Sequence, residues 1–220
     1  MRYGEVAAAI AATGMVARGG FTVAGPDGVP DAPDGSPTAS VVMVGNVGGV
    51  MWPAFRAAEQ AVADPLDAWT RSLLTPIAAG LGATFVHPSD EPFQPFQRWA
   101  QRAEGIAPSP IAILVHPEFG LWHAYRGALL FPAVLDELPD PIAAPSPCLT
   151  CDGQPCLTAC PVGAFTSDGY DSDACRGHVR SNADPVCLDE GCAARCACPV
   201  GVQFRYGRDQ MRFHMLAFVG

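Results

Sequence analysis

Nine cysteines fall between Cys148 and Cys198, and none precedes them. Cys148-Leu-Thr-Cys151 leads through Asp152-Gly-Gln-Pro155 to Cys156, and Cys156-Leu-Thr-Ala-Cys160 ends on Pro161. Cys175 and Cys187 follow singly, then Cys192-Ala-Ala-Arg-Cys196-Ala-Cys198-Pro199 closes the run. Thiolates in short loops are the ligands of an iron–sulfur cubane, and four cysteines ending in Cys-Pro are how bacterial iron–sulfur proteins mark paired clusters. The cysteine before each proline then ligates the other cluster. The spacing therefore predicts two [4Fe-4S] clusters. Cysteines Cys148, Cys151, Cys156 and Cys198 would hold cluster one, and Cys160, Cys175, Cys187 and Cys192 would hold cluster two. Three cysteines from 192 to 198 compete for two of these places. Cys198 is favoured by its proline, and Cys192 is preferred to Cys196 because Cys196 is too near Cys198 to reach a different cluster without strain. The widened gap from Cys151 to Cys156 can be turned at Gly153 and Pro155. Zinc and disulfides are the alternatives. Structural zinc sites pair CxxC with histidine and lack a Cys-Pro ending, and a disulfide framework prefers an even count and an oxidising compartment.

Composition narrows the setting. An apolar fraction of 49% with 16% charged residues describes a well-buried globular chain. A formal charge of −9 disfavours nucleic acid and anionic membranes and suits a redox protein partner with a basic face. All thirteen basic residues are arginine, which excludes a Walker phosphate loop and any lysine nucleophile or base. No apolar run is long enough for a membrane span. Glu5 interrupts the Ala-rich start, which reads as a first helix rather than a signal segment. The expected compartment is cytoplasmic, where thiols stay free for metal.

The elements that must carry these residues are a helix over 4–18, a β-like Phe21–Ala24, and a Pro/Asp/Gly loop over 25–37. A buried strand over 40–45 turns through Asn46-Val-Gly48-Gly49 into a helix over 52–63. That turn could cradle phosphate but lacks the dinucleotide spacing, so a plain strand-to-helix turn is the simpler reading. Further segments are a helix over 67–81, a strand over 83–87, a helix over 96–103, a strand over 111–116 and an apolar stretch over 122–132. Four prolines between Leu138 and Pro147 make a linker. The fold class expected is α+β, with a layered domain over 1–140, a small cysteine domain over 141–202 whose metal supplies its folding energy, and a tail over 203–220 packing back on the first domain.

The run Cys148–Pro199 resembles the ferredoxin-like half of the epoxyqueuosine reductase family and, more distantly, reductive dehalogenases. Upstream, Trp99-Ala-Gln-Arg-Ala-Glu-Gly105 and Ile113-Leu-Val-His116-Pro-Glu-Phe-Gly-Leu-Trp122 look like that family's segment lining a corrinoid pocket. Continued through Arg126-Gly127, the same stretch resembles the cobalamin-processing decyanases. The likeness covers about 85–200 and implies a nitroreductase-like α+β domain. Where the reductase pattern has a Gly-Lys turn, this chain reads Ile106-Ala-Pro-Ser-Pro-Ile111. Asp90 falls near the family's catalytic aspartate, with different flanks.

Two functional readings follow. In one, the clusters pass single electrons to a partner. In the other, an oxidoreductase uses them to feed a corrinoid, such as cobalamin, or a flavin. That cofactor would lie over Asp90 and the segment carrying His116, Trp122, Tyr125 and Arg126, with Asp90 as acid. Each of these residues also has a plainer reading: a core histidine bonded to backbone, core aromatics, and an arginine paired with Glu118 or Asp136. His178, one helical turn after Cys175, would donate to a cluster sulfide or to a carbonyl.

Overall fold

The computed structural model describes residues 1–59, 61–166, 169–181 and 185–220. In chain order its first elements are α1 (Tyr3–Ala11), β1 (Val16–Thr22), β2 (Ser40–Val47), α2 (Trp52–Ala58), α3 (Pro65–Gly80), β3 (Thr84–Val86) and α4 (Phe96–Glu104). Next come β4 (Ala107–Pro108), β5 (Leu114–Val115) and β6 (His123–Phe131). The cysteine region contributes α5 (Pro155–Thr158), β7 (Phe165–Thr166), β8 (Gly169–Tyr170), α6 (Ser172–Ser181), α7 (Pro185–Asp189), α8 (Ala193–Cys196) and α9 (Arg208–Val219). The chain is α+β and forms two compact units, Met1–Ile106 with His123–Ala143, and Ala107–Trp122 with Ala144–Gly220.

The first unit is built on an antiparallel sheet in the order β1-β2-β6-β3. Strand β2, Ser-Val-Val-Met-Val-Gly-Asn-Val, is buried along nearly its whole length, as a central strand covered on both faces must be. The apolar stretch at 122–132 is its neighbour β6, also buried from Gly127 to Phe131. A bulge shifts their register between Val44 and Gly45. Only glycine serves there, because a Cβ on Gly45 would lie 2.0 Å from the Ala124 carbonyl oxygen. Helix α1 is shorter than the 4–18 expected. Thr13 Oγ1 donates to the Ile10 carbonyl at the end of the helix, and the β-branched and aromatic residues that follow pair with β2 as β1. Helix α2 stops at Ala58, short of 63; Gln60 lies outside the described residues.

An ion pair ties α4 to this sheet. Arg18 on β1 is 2% exposed and donates through Nε and Nη2 to both carboxylate oxygens of Glu104, at 2.6 and 2.7 Å. Its guanidinium also donates to the Asn46 carbonyl at 3.3 Å, lies 3.3 Å from His123 Nδ1, and stacks 5.1 Å from the Tyr125 ring centroid. The Tyr125 hydroxyl donates to Glu104 as well. Sequence periodicity gives no sign of this network, since Arg18 sits between alanine and glycine with nothing to mark it as buried.

The second unit takes in 107–122, which the sequence assigned to the first domain. The reason is apolar: Ile111, Val115 and Leu121 form one core with Cys156 and Ala194. The cysteine segment, poor in large apolar residues, borrows a hydrophobic core from upstream. The strand expected over 111–116 shrinks to β5, paired with β4 in a hairpin, because Ala112 takes a left-handed backbone with φ of 61°. The tail, expected to return to the first domain, belongs to this unit. Helix α9 packs on α6 and α7, with Val219 in a core with Val179 and Cys187.

Replacing Arg18 with methionine strands the Glu104 carboxylate. The expected cost is about 3–5 kcal/mol in urea unfolding, with the double variant R18M/E104L recovering most of it.

Candidate metal centres

Two small cavities in the second unit collect the cysteines. The first is walled by Cys148, Cys151, Cys156 and Cys198, with Leu121, Pro155 and Pro199. The second is walled by Cys160, Cys175, Cys187 and Cys192, with Phe165, Val179 and Met215. Cys196 is in neither. It lines a separate cleft of about 480 Å³ with Glu190, Arg205 and Arg208, and its thiol donates to the Glu190 carbonyl at 3.5 Å. All nine thiols are free of disulfides. The helical turn Ala193–Cys196 explains the separation of Cys192 from Cys196. Cys192 stands at the N-cap position of the turn and Cys196 at its last residue, so the two side chains leave it at opposite ends.

The electrostatics follow the same grouping. Burial pushes the Cys148 and Cys156 thiols up. The charges that add to the rise come from Cys198 and Cys151 for Cys148, and from Cys198, Cys148 and Cys151 for Cys156. Burial likewise raises Cys192, opposed by the nearby Arg195 and Ala194 backbone amides, with Cys175 and Cys187 adding to the rise. Cys196 is raised by burial but feels Arg205, Arg195 and Glu190 instead of another cysteine. The Ala164 N–H donates to Cys160 Sγ at 3.4 Å, and the Tyr170 hydroxyl hydrogen-bonds to Cys175. Buried thiols of raised pKa are protonated, so binding metal here must expel protons.

His116 and Trp122 belong to the second unit. His116 Nδ1 accepts the Glu118 and Phe119 N–H groups, each at 3.1 Å, and its ring stacks on Phe119 at 4.0 Å. It organises the turn Pro117–Gly120. Trp122 is fully buried, edge-on to Tyr206 at 5.5 Å, with the Arg195 and Arg205 guanidinium groups over it at 4.7 and 5.5 Å.

Asp90, Tyr125 and Arg126 belong to the first unit. Asp90 closes a turn. Its Oδ2 accepts the His87 N–H at 2.6 Å and its Oδ1 accepts from Arg71 at 2.7 Å. Burial alone would raise the Asp90 carboxyl; these two donors overcome it and hold the group below its ordinary value. A carboxylate so held is a poor acid. Burial pushes the Tyr125 phenol well up, opposed by Arg18 and reinforced by Glu104. Arg126 is half-buried and donates to Asn46 Oδ1 at 3.2 Å. Of the titratable groups beside Asp90, sequence reasoning passed over His87. It is 3% exposed, with Nδ1 2.8 Å from Ser89 Oγ and Nε2 3.6 Å from Asp67.

Among the described residues no three His, Cys, Asp or Glu side chains converge as ligands of a single ion would. No helix among them is long and apolar enough to cross a membrane.

This architecture is shared with solved structures of two kinds. One is the B12-trafficking protein CblC of C. elegans, a homologue of human MMACHC, with a TM-score of 0.56 at 14% identity over 98% of this chain and 95% of that one. The other is epoxyqueuosine reductase, with a TM-score of 0.58 at 14% identity over 95% of this chain and 68% of that one. A second epoxyqueuosine reductase structure, with an epoxyqueuosine-modified tRNA-Tyr stem loop, gives 0.56 at 15% identity over 93% and 66%. The chain thus spans about two thirds of those reductases. At such identities the likeness is one of fold. No protein-family model and no curated protein sequence matches the chain.

Burial, opposed by Asp67 and assisted by Arg71, holds the His87 imidazole below its ordinary value near 6.5; Asp90 raises it and Arg126 lowers it to lesser degrees. A base that is neutral when folded stabilises the protein above the unfolded pKa and loses that contribution as pH falls toward the folded one. Chemical unfolding should therefore show stability declining below about pH 6.5. In His87→Gln that part of the decline should flatten.

Proposed function

We propose that the chain is an iron–sulfur reductase that carries electrons through two [4Fe-4S] clusters in a ferredoxin-like unit to a corrinoid. The observation that carries this reading is the division of eight cysteines into two four-thiol cavities, each drawing one cysteine from the other's Cys-Pro motif. The donor set fits the group. Four ligands of a cubane each bind a different iron, and each cavity offers four thiols, one for each iron. Apolar walls and an amide directed at sulfur, as at Cys160, are the surroundings that tune such clusters. When bound, the clusters supply one-electron transfer. The chain's own part is to present the thiolates, release their protons and keep water from the sulfides.

A corrinoid acceptor is supported by the His116–Gly127 resemblance and by a fold shared with a B12-trafficking protein over nearly its whole length. His116, Trp122 and Tyr125 are engaged in the fold itself, so the reading treats the corrinoid as electron acceptor and names no side chain that ligates it. The same engagement favours the second reading, an electron carrier serving a partner protein and no corrinoid. The donor in either case is a redox protein whose basic face complements the −9 charge, in the cytoplasm.

Protein purified without oxygen should carry about eight irons and absorb broadly near about 400 nm, bleaching with dithionite. Cys192→Ser should lose about half the iron while Cys196→Ser keeps all of it. Two zinc ions and no colour would overturn the assignment. In the second test, dithionite-reduced protein is titrated with cobalamin. Reoxidation of the clusters with matching cobalamin reduction supports the corrinoid reading, and no reaction leaves the electron-carrier reading in its place.

A further inference from the structure

Each four-cysteine cavity contains one buried side-chain donor that the protein leaves unpartnered. In the first it is Ser109 Oγ; in the second it is His178 Nε2. Ser109 sits in the β4–β5 hairpin, where its N–H donates to the Ile113 carbonyl at 2.8 Å and its carbonyl accepts the Ala112 N–H at 2.9 Å. Its backbone is spent on the turn, which leaves the hydroxyl as the one unpartnered polar group of this residue in the cavity wall. His178 lies one turn beyond Cys175 on α6, so the two side chains share a helix face. Buried hydroxyl and imidazole donors are paired as a rule. Trp122 and Gln210, which also hold buried polar atoms without a partner, line neither cavity.

We propose that Ser109 and His178 are the hydrogen-bond donors that set the potentials of clusters one and two separately, an inference that rests on the two-cluster reading above. The acceptors are cluster sulfide or cysteine sulfur. A reduced cluster carries one more negative charge than an oxidised one, so a donor aimed at its sulfur stabilises the reduced form and raises the potential. Neither residue would be a ligand; each positions a dipole. The donors come from different parts of the chain, a hairpin upstream of the cysteines and a helix among them, so each potential can be altered without moving the other.

The test is an EPR-monitored redox titration of the full iron-loaded chain, comparing Ser109→Ala and His178→Phe with the unaltered protein. Iron content should be unchanged. Each substitution should shift one reduction wave to lower potential, and a different wave in each variant. Ser109→Thr and His178→Gln, which keep a donor, should bring the wave back toward its original position. Full iron with both waves unmoved, or with both variants moving the same wave, overturns the inference and leaves the two-cluster reading standing. A chain that binds no iron overturns that reading and the inference together.

Discussion

Backbone meets backbone where the turn at Phe119–Gly120 reaches Val200–Gly201. A Cβ on Gly120 would stand 1.9 Å from the Val200 carbonyl oxygen, and one on Gly201 would stand 2.3 Å from the Phe119 carbonyl carbon. No other residue type fits at either position. This contact lashes the upstream hairpin to the residues just after Cys198-Pro199, and the rest of the second unit depends on it. It brings Leu121 to the wall of the first cavity and Trp122 under two arginines. It also gives a segment rich in cysteine, glycine and aspartate an apolar partner. His116 acts in the same place by a different force, gathering two N–H groups of the turn onto one ring nitrogen.

A chain without lysine uses arginine for every structural cation, and the structure shows what that permits. Arg195 donates to the Leu121 carbonyl while its plane lies 4.7 Å from both the Trp122 and Tyr206 rings. Arg18 grips both oxygens of Glu104 with one fork. A planar, weakly hydrated guanidinium can bond in its plane and stack on its faces at once, which an ammonium cannot. These arginines act as internal cross-braces, and the acidic residues are left to set the outward charge.

The parts of the molecule legible in the sequence were those where spacing alone carries information. The Cys-Pro endings divided eight cysteines into two groups of four, and the same groups line the two cavities. The uninterrupted apolar run of β2 marked a covered strand. The parts that were hidden depend on partners distant in sequence. The end of α1 was missed because the alanine pattern runs on past Ala11, while the residues from Val16 are claimed by β2. The 107–122 segment looked like part of the first domain, since nothing local records that Ile111 and Leu121 are needed by Cys156 and Ala194. Arg18 was invisible because its partner lies on α4. The resemblance of the 113–127 run offers His116, Trp122 and Tyr125 to a cofactor, and the contacts each makes within the protein lie with residues that no local pattern names.

One consequence of the crossed cysteine motifs concerns the order of events as the chain matures. The inner set spans 160 to 192 and lies wholly within the outer set, which spans 148 to 198. Closed by metal as proposed, the two loops would be nested, like brackets within brackets. The entropy lost in closing a loop grows with the length of free chain inside it. Filling the inner set first ties up most of the segment that the outer set must close, so the second closure is the easier one. The help is reciprocal, so the preferred order is set by the first closure, which costs less for the shorter inner loop. On the two-cluster proposal the nesting would incline the chain toward inside-out assembly, a sequence in time encoded by where two prolines follow cysteine.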